Sequence, residues 1–128
     1  MEAFGRLLDI MDDLREKCPW DQKQTFETLR HLTLEETYEL SDALLNEDLQ
    51  EIKKELGDVL LHLVFYAKIG SEKQSFDIAD VCDKLSNKLM FRHPFIDWTG
   101  WEGDPKAELA DKPADETEVE MTWEQIKQ

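Results

Sequence analysis

Helix-breaking residues are spread unevenly along this chain, and their distribution restricts its fold more than any other feature. Of 5 glycines and 4 prolines in 128 residues, most lie after residue 90. These residues punctuate helices and strands, so the first two-thirds is left with few interruptions and reads as helical. Phe4, Leu7, Leu8, Met11 and Leu14 recur at the spacing of one buried helix face, which predicts a first helix over 2–16. Pro19 in "CPWDQKQT" disfavours helix at Cys18. Thr25 with Thr28 then offers a cap for a second helix running to about Leu45, and "NED" at 46–48 supplies turn formers. A third helix is expected from Leu49 to Ile69, with Gly70 as its left-handed stop. A fourth, from Phe76 to Arg92, carries Ile78, Val81, Cys82, Leu85 and Leu89 on one face and stops before Pro94. No repeat and no strand-like alternation appears. The expectation is an all-α, four-helix-type bundle in one domain over 1–128. It has a helical core over 2–94, an acidic turn-rich loop over 95–115, and a short C-terminal helix over 116–127.

Charge narrows the partners. Fifteen basic against 30 acidic residues give a net charge of -15, a field that repels nucleic acid and anionic membrane. An anionic ligand would need a local reversal of sign, which carboxylate-held divalent cations supply. Cys18 and Cys82 make neither a metal-binding spacing nor a disulfide framework, and the acidic, amphipathic N-terminus is unlike a secretion signal; a cytoplasmic setting is expected. The apolar run "VLLHLVFYA" is about half the length of a membrane span. From Val59 to Ile69 the third helix is apolar nearly all round, which suits a central helix or a subunit interface and points to a homo-oligomer.

The stretch "LEETYELSDALLNEDLQEIKKELGD" holds two acid pairs, Glu36 with Glu39 and Glu55 with Asp58, each three residues apart. That spacing puts both members of a pair on one helix face. Glu39 and Glu55 lie equally far from position 47, as do Glu36 and Asp58. An antiparallel hairpin about that turn brings all four carboxylates together, about 12 to 17 Å from the turn at the usual helical rise. Four such groups repel unless cations join them. Oxygen ligands without Cys or a His pair select Mg²⁺ or Mn²⁺. Gly57, between Glu55 and Asp58, costs about 1 kcal/mol in mid-helix relative to Ala, and its missing side chain could admit a ligand. Asp42 extends the stripe; Glu47, Asp48 and Glu51 near the turn read as solvated.

The segments "CPWDQKQTFETL", "LEETYEL", "KKELGDVLLHLVFYAKI", "KLMFRHP" and "WEQIK" occur in the order seen in MazG-type nucleoside triphosphate pyrophosphohydrolases, and the chain resembles that family over 3–94 and its last helix. The resemblance implies a helical homo-oligomer, dimer or tetramer, that cleaves NTPs and dNTPs to the monophosphate and pyrophosphate with Mg²⁺. It implies metal ligation by Glu36, Glu39, Glu55 and Asp58, and it matches Lys88 and Arg92 to the family's basic pair, a spacing of four that suits an anion clamp. Read alone, the same two residues near a helix end would serve the helix dipole. Trp123 and Lys127 resemble the family's base and phosphate contacts, and Trp20 is either a nucleotide-pocket residue or a core or lid residue. Glu35, beside Glu36, either orients and deprotonates a water or is solvated. His62 reads as a satisfied core histidine; His31 and His93 carry no assignment. After "RHP" the chain departs from the family's short His–apolar–aromatic–Gly segment, running instead through Trp98 and Trp101 in a longer acidic stretch. That departure bears on the placement of Trp123 and Lys127.

Two other classes compete. A ferritin-like di-iron bundle needs Glu-x-x-His on two helices, and neither pair here has a His at the fourth position. A helical dimerisation module whose acids only keep it soluble would bind neither cation nor nucleotide.

Overall fold

A computed structural model describes residues 2–103 of the chain. Along them run α1 (Glu2–Lys17), α2 (Pro19–Gln22), α3 (Phe26–Leu45), α4 (Leu49–Glu72) and α5 (Ile78–Phe91). No strand occurs among the described residues, as the all-α reading requires. The chain forms two compact units, the first ending at Ile78 and the second beginning at Ala79. The C-terminal helix expected over 116–127 and the loop beyond Gly103 lie outside the described residues.

Each boundary in the first unit has a local cause. Cys18, held extended by the proline after it (φ -97°, ψ 117°), ends α1, and Pro19 opens α2 where a missing N–H loses no bond. This one-turn helix lies inside the interruption that the sequence suggested. The expected cap of α3 is present. Thr28 N–H donates to Thr25 Oγ1 (3.1 Å) while Thr25 N–H donates to Thr28 Oγ1 (2.8 Å). Asp48 Oδ1 accepts from the N–H groups of Gln50 (3.2 Å) and Glu51 (3.3 Å) and so starts α4.

The expected end of α4 is corrected. The helix runs through Gly70 and stops at Glu72. The left-handed position belongs to Gln74 (φ 57°), whose N–H donates to Ser71 O (3.0 Å) while Ser75 N–H donates to Gly70 O (3.1 Å). Gly70 has a packing role instead, since a Cβ there would sit 2.5 Å from the Phe76 ring. Phe76 lies back on Gly70, so α5 starts two residues later than expected, at Ile78.

Met11, Leu29, Val64, Phe65 and Ile69 form the core, with Phe4, Leu7, Leu8, Leu32 and Tyr66 packed against it. α4 is the central element, packing against both α3 and α1, whereas α2 packs on α1. Arg15 ties the end of α1 to the Pro19–Gln24 interruption and to the end of α4. Its Nη1 donates to Asp21 O (2.7 Å) and Gln24 O (2.9 Å), while Nε and Nη2 each reach the Glu72 carboxylate at 2.8 Å. The apolar run of α4 is only partly used by this core. Val64, Phe65, Ala67 and Ile69 are buried, yet Leu60, Leu61 and Leu63 remain 36%, 38% and 52% exposed.

In the second unit α5 buries Met90, and the chain after it turns back on itself. Trp98 Nε1 donates to His93 O (2.9 Å), and the Trp98 and Trp101 rings meet edge to face with centroids 6.4 Å apart. Residues 95–103 contain neither helix nor strand, in keeping with the expected loop. Among the described residues no helix is long and apolar enough to cross a membrane.

Candidate cation site

The hairpin of α3 and α4 closes as the sequence symmetry requires. Glu36, Glu39, Glu55 and Asp58 each offer a carboxylate oxygen, and these atoms lie within 4.8 Å of one another. The burial is graded: Glu55 is only 4% exposed, Glu36 and Asp58 are half-buried, and Glu39 is open to solvent. Glu36 Oε2 and Glu55 Oε2 are buried without a hydrogen-bond partner. An unpaired buried carboxylate oxygen is costly, and this cluster holds two of them.

This crowding shapes the electrostatics. Burial pushes the Glu36 carboxyl above its ordinary value, and Glu39, Asp58 and Glu55 push it the same way. Burial and then Glu39 raise Glu55, against the opposing pull of Lys54, whose Nζ stands 3.6 Å from Glu55 Oε1. Both shifts have the same origin, carboxylates crowded together with part of their oxygen surface cut off from water. The donor set is four carboxylates without sulfur or imidazole, two of its oxygens lack partners, and its charge is self-repelling. A hard divalent cation fits all three properties.

The other expected residues are more scattered. Glu35 is exposed and stands outside the group of four. Gly57 is exposed, and a Cβ there would meet nothing within 4 Å, so the space beside it is open. Asp42 lines an open groove with Glu39, Asn46, Asp48, Glu51 and Glu55, on the turn side of the cluster. Trp20 is 57% exposed on α2, an element that packs on α1 and not on the α3–α4 hairpin. Lys88 lies on α5 and Arg92 just beyond it, with Arg92 N–H donating to Lys88 O at 3.0 Å. Arg92 Nε is buried and lacks a hydrogen-bond partner. Trp123 and Lys127 lie outside the described residues.

His62 is a core histidine, 7% exposed, with Nδ1 2.6 Å from Thr33 Oγ1. Burial lowers its pKa, with nearby Asp58 pulling weakly the other way, so the ring is neutral near pH 7. Thr33 also bonds the Tyr66 hydroxyl. Neither Thr33 nor Tyr66 was expected from the sequence, although Thr33 and His62 lie almost equally far from the turn, as the acids do.

An all-helical chain with an ExxE and an ExxD pair meeting across one hairpin defines a class of carboxylate-rich, cation-binding helical proteins. Comparison with known proteins makes the class specific. The family described as "MazG nucleotide pyrophosphohydrolase domain" matches residues 24–96, and the chain belongs to that family. It is 44% identical over 131 residues to the nucleoside triphosphate pyrophosphohydrolase of Escherichia coli K12, covering 99% of this chain and 45% of that protein. It is 46% identical over 95 residues to the nucleoside triphosphate pyrophosphohydrolase/pyrophosphatase MazG of Thermotoga maritima, covering 73% of this chain and 37% of that one. The crystal structure of a mazG-related protein from Thermotoga maritima superposes with a TM-score of 0.67 at 28% identity, over 96% of this chain and 97% of that one. The chain thus spans less than half the length of either sequence relative. Family membership and the acid cluster together imply use of a divalent metal.

Proposed function

We propose that the chain hydrolyses nucleoside triphosphates, NTP or dNTP, to the nucleoside monophosphate and pyrophosphate in a Mg²⁺-dependent reaction. The observation that carries this reading is the convergence of Glu36, Glu39, Glu55 and Asp58 within 4.8 Å, in a chain of the MazG family. Those four side chains are assigned to hold the cation. When bound, such an ion neutralises the facing negative charges and acidifies water. In the reaction a water oxygen adds to the α-phosphorus as the bond to the β-phosphoryl oxygen breaks. Pyrophosphate leaves with the electron pair, and the water gives up a proton.

Glu35 is assigned as the group that orients and takes a proton from that water; its exposure leaves it able to exchange protons with solvent. Lys88 and Arg92 are assigned to phosphate, supported by the buried and unpartnered Arg92 Nε, a donor without an acceptor among the described residues. Trp20, Trp123 and Lys127 are assigned to the nucleotide on the family resemblance. The family match over 24–96 runs through both compact units, which supports reading 1–128 as one domain. The exposed Leu56, Leu60 and Leu63, on one face of α4, support a homo-oligomer, dimer or tetramer. The charge of -15 and the free thiols Cys18 and Cys82 go with a reduced, cytoplasmic setting away from nucleic acid and membrane.

The test is a panel of NTPs and dNTPs with Mg²⁺ and product chromatography. Monophosphate and pyrophosphate in equal amounts support the assignment; diphosphate with orthophosphate refutes it.

A further inference from the structure

We propose that Thr33, His62 and Tyr66 are positioning residues that fix the register of α3 on α4 and thereby hold the two acid pairs opposite each other. The proposal rests on reading the four acids as cation ligands. Three observations carry it.

The first is saturation. Thr33 Oγ1 lies 3.1 Å from Leu29 O and 2.6 Å from His62 Nδ1, and it bonds Tyr66 Oη as well. A hydroxyl donates once and accepts twice. Thr33 therefore donates to Leu29 O and accepts from His62 Nδ1–H and the Tyr66 hydroxyl, and every partner is met. This sets the His62 tautomer and leaves Thr33 no spare capacity.

The second is placement. Thr33 precedes Glu36 by one turn on α3, and His62 comes one turn after Asp58 on α4. The turn at 46–48 fixes one end of the hairpin and the Thr33 hydroxyl fixes the other. The four acids lie between these two points.

The third is need. Among the described residues, the side-chain hydrogen bonds from α3 to α4 outside the acid cluster all meet on Thr33. The remaining contacts are apolar and non-directional, so they resist separation of the helices better than sliding along them. The acids themselves repel across the hairpin, since their carboxylate oxygens lie within 4.8 Å of one another. A directional, water-poor link one turn away supplies what the cluster lacks.

The experiment measures Mn²⁺ affinity and the electron paramagnetic resonance spectrum of bound Mn²⁺ on the full chain. Parent, Thr33→Val, Thr33→Ser, Tyr66→Phe and the Thr33→Val/Tyr66→Phe double variant are compared, with helix content tracked by circular dichroism. Thr33→Val keeps the shape and removes the hydroxyl. It is expected to weaken Mn²⁺ binding about tenfold or more, as loss of a ligand-orienting partner does, and to broaden the bound spectrum. Thr33→Ser restores parental affinity. Tyr66→Phe gives a smaller loss, and the double variant binds no more weakly than Thr33→Val, because one shared hydroxyl carries the coupling. Parental Mn²⁺ affinity in folded Thr33→Val, or failure of Thr33→Ser to restore it, overturns the proposal. Where Thr33→Val does not fold, Tyr66→Phe decides, and parental affinity there is the overturning result. A parent chain that binds no Mn²⁺ removes the cation site itself, an outcome distinct from a bound parent with indifferent variants.

Discussion

Replacing Glu55 by Gln tests the proposed site at its most buried carboxylate. Glu55 is 4% exposed, Oε2 has no partner, and its neighbours in the cluster are Glu36, Glu39 and Asp58. The amide keeps the shape but removes a charge and a strong oxygen ligand. Its N–H₂ is a donor among acceptor carboxylates, and the lost charge relieves repulsion from Glu36, Glu39 and Asp58. The fold should therefore persist, and the metal-free variant should be at least as stable as the parent. Pyrophosphate release should fall at least about a hundredfold, since loss of cation-borne charge stabilisation costs several kcal/mol and about 1.36 kcal/mol is tenfold in rate. Glu51→Gln, one turn nearer the hairpin turn, is the control. Glu51 lines the same groove but stands outside the group of four, so its variant should stay within a few-fold of the parent. Initial rates at saturating Mg²⁺, with calorimetric Mg²⁺ titration of each variant, make the comparison. Equal rates for the two variants would refute the assignment of the four acids as cation ligands.

The raised Glu36 and Glu55 carboxyls set a pH dependence. Folded-state values above the ordinary 4.5 mean that the folded chain binds more protons, so their contribution is full below 4.5 and is lost as pH rises through the raised values. Denaturant melts without metal should show the advantage of Glu55→Gln over the parent opening as pH rises above 4.5, and closing when Mg²⁺ is added. Two glycines should respond oppositely to alanine. Gly70→Ala drives a Cβ to 2.5 Å from the Phe76 ring and should destabilise by about 1 to 3 kcal/mol. Gly57→Ala meets open space and should stabilise the metal-free chain by about 1 kcal/mol while weakening Mg²⁺ or nucleotide binding in titration. Arg15→Lys loses the fork that joins three carbonyls and Glu72, and thermal melts should report about 2 kcal/mol of lost stability. Glu72→Gln should cost less than about 1 kcal/mol, because that carboxylate is 37% exposed.

The helices are legible in the sequence because their apolar spacing and their end signals agree, as at the Thr25 cap and the turn formers at 46–48, although the capping role of Asp48 is not. The acid cluster is legible because both pairs are mirrored about one turn. Gly70 misleads for a physical reason: glycine suits a left-handed stop, but here its missing side chain admits Phe76, and Gln74 takes the strained conformation with no mark in the sequence. Thr33 escapes notice because a mid-helix threonine ordinarily bonds its own helix, as Thr37 Oγ1 does to Thr33 O at 2.8 Å. The mirror argument that pairs the acids would also pair it with His62. Burial at Glu55 is not legible at all, since acids that face a partner and acids that face water have the same spacing.

All four clustered carboxylates come from one uninterrupted stretch, Glu36 to Asp58. Assembling them requires closure of a single short loop, whose entropic cost grows only with the logarithm of its length. On the proposed reading of these acids, a hairpin closed before α1 docks would already offer all four carboxylates to a cation. An ion bound at that stage would lower the barrier to folding, where a ligand set drawn from distant segments would act only by slowing unfolding. In refolding kinetics the signature is a metal effect on the folding limb of the chevron.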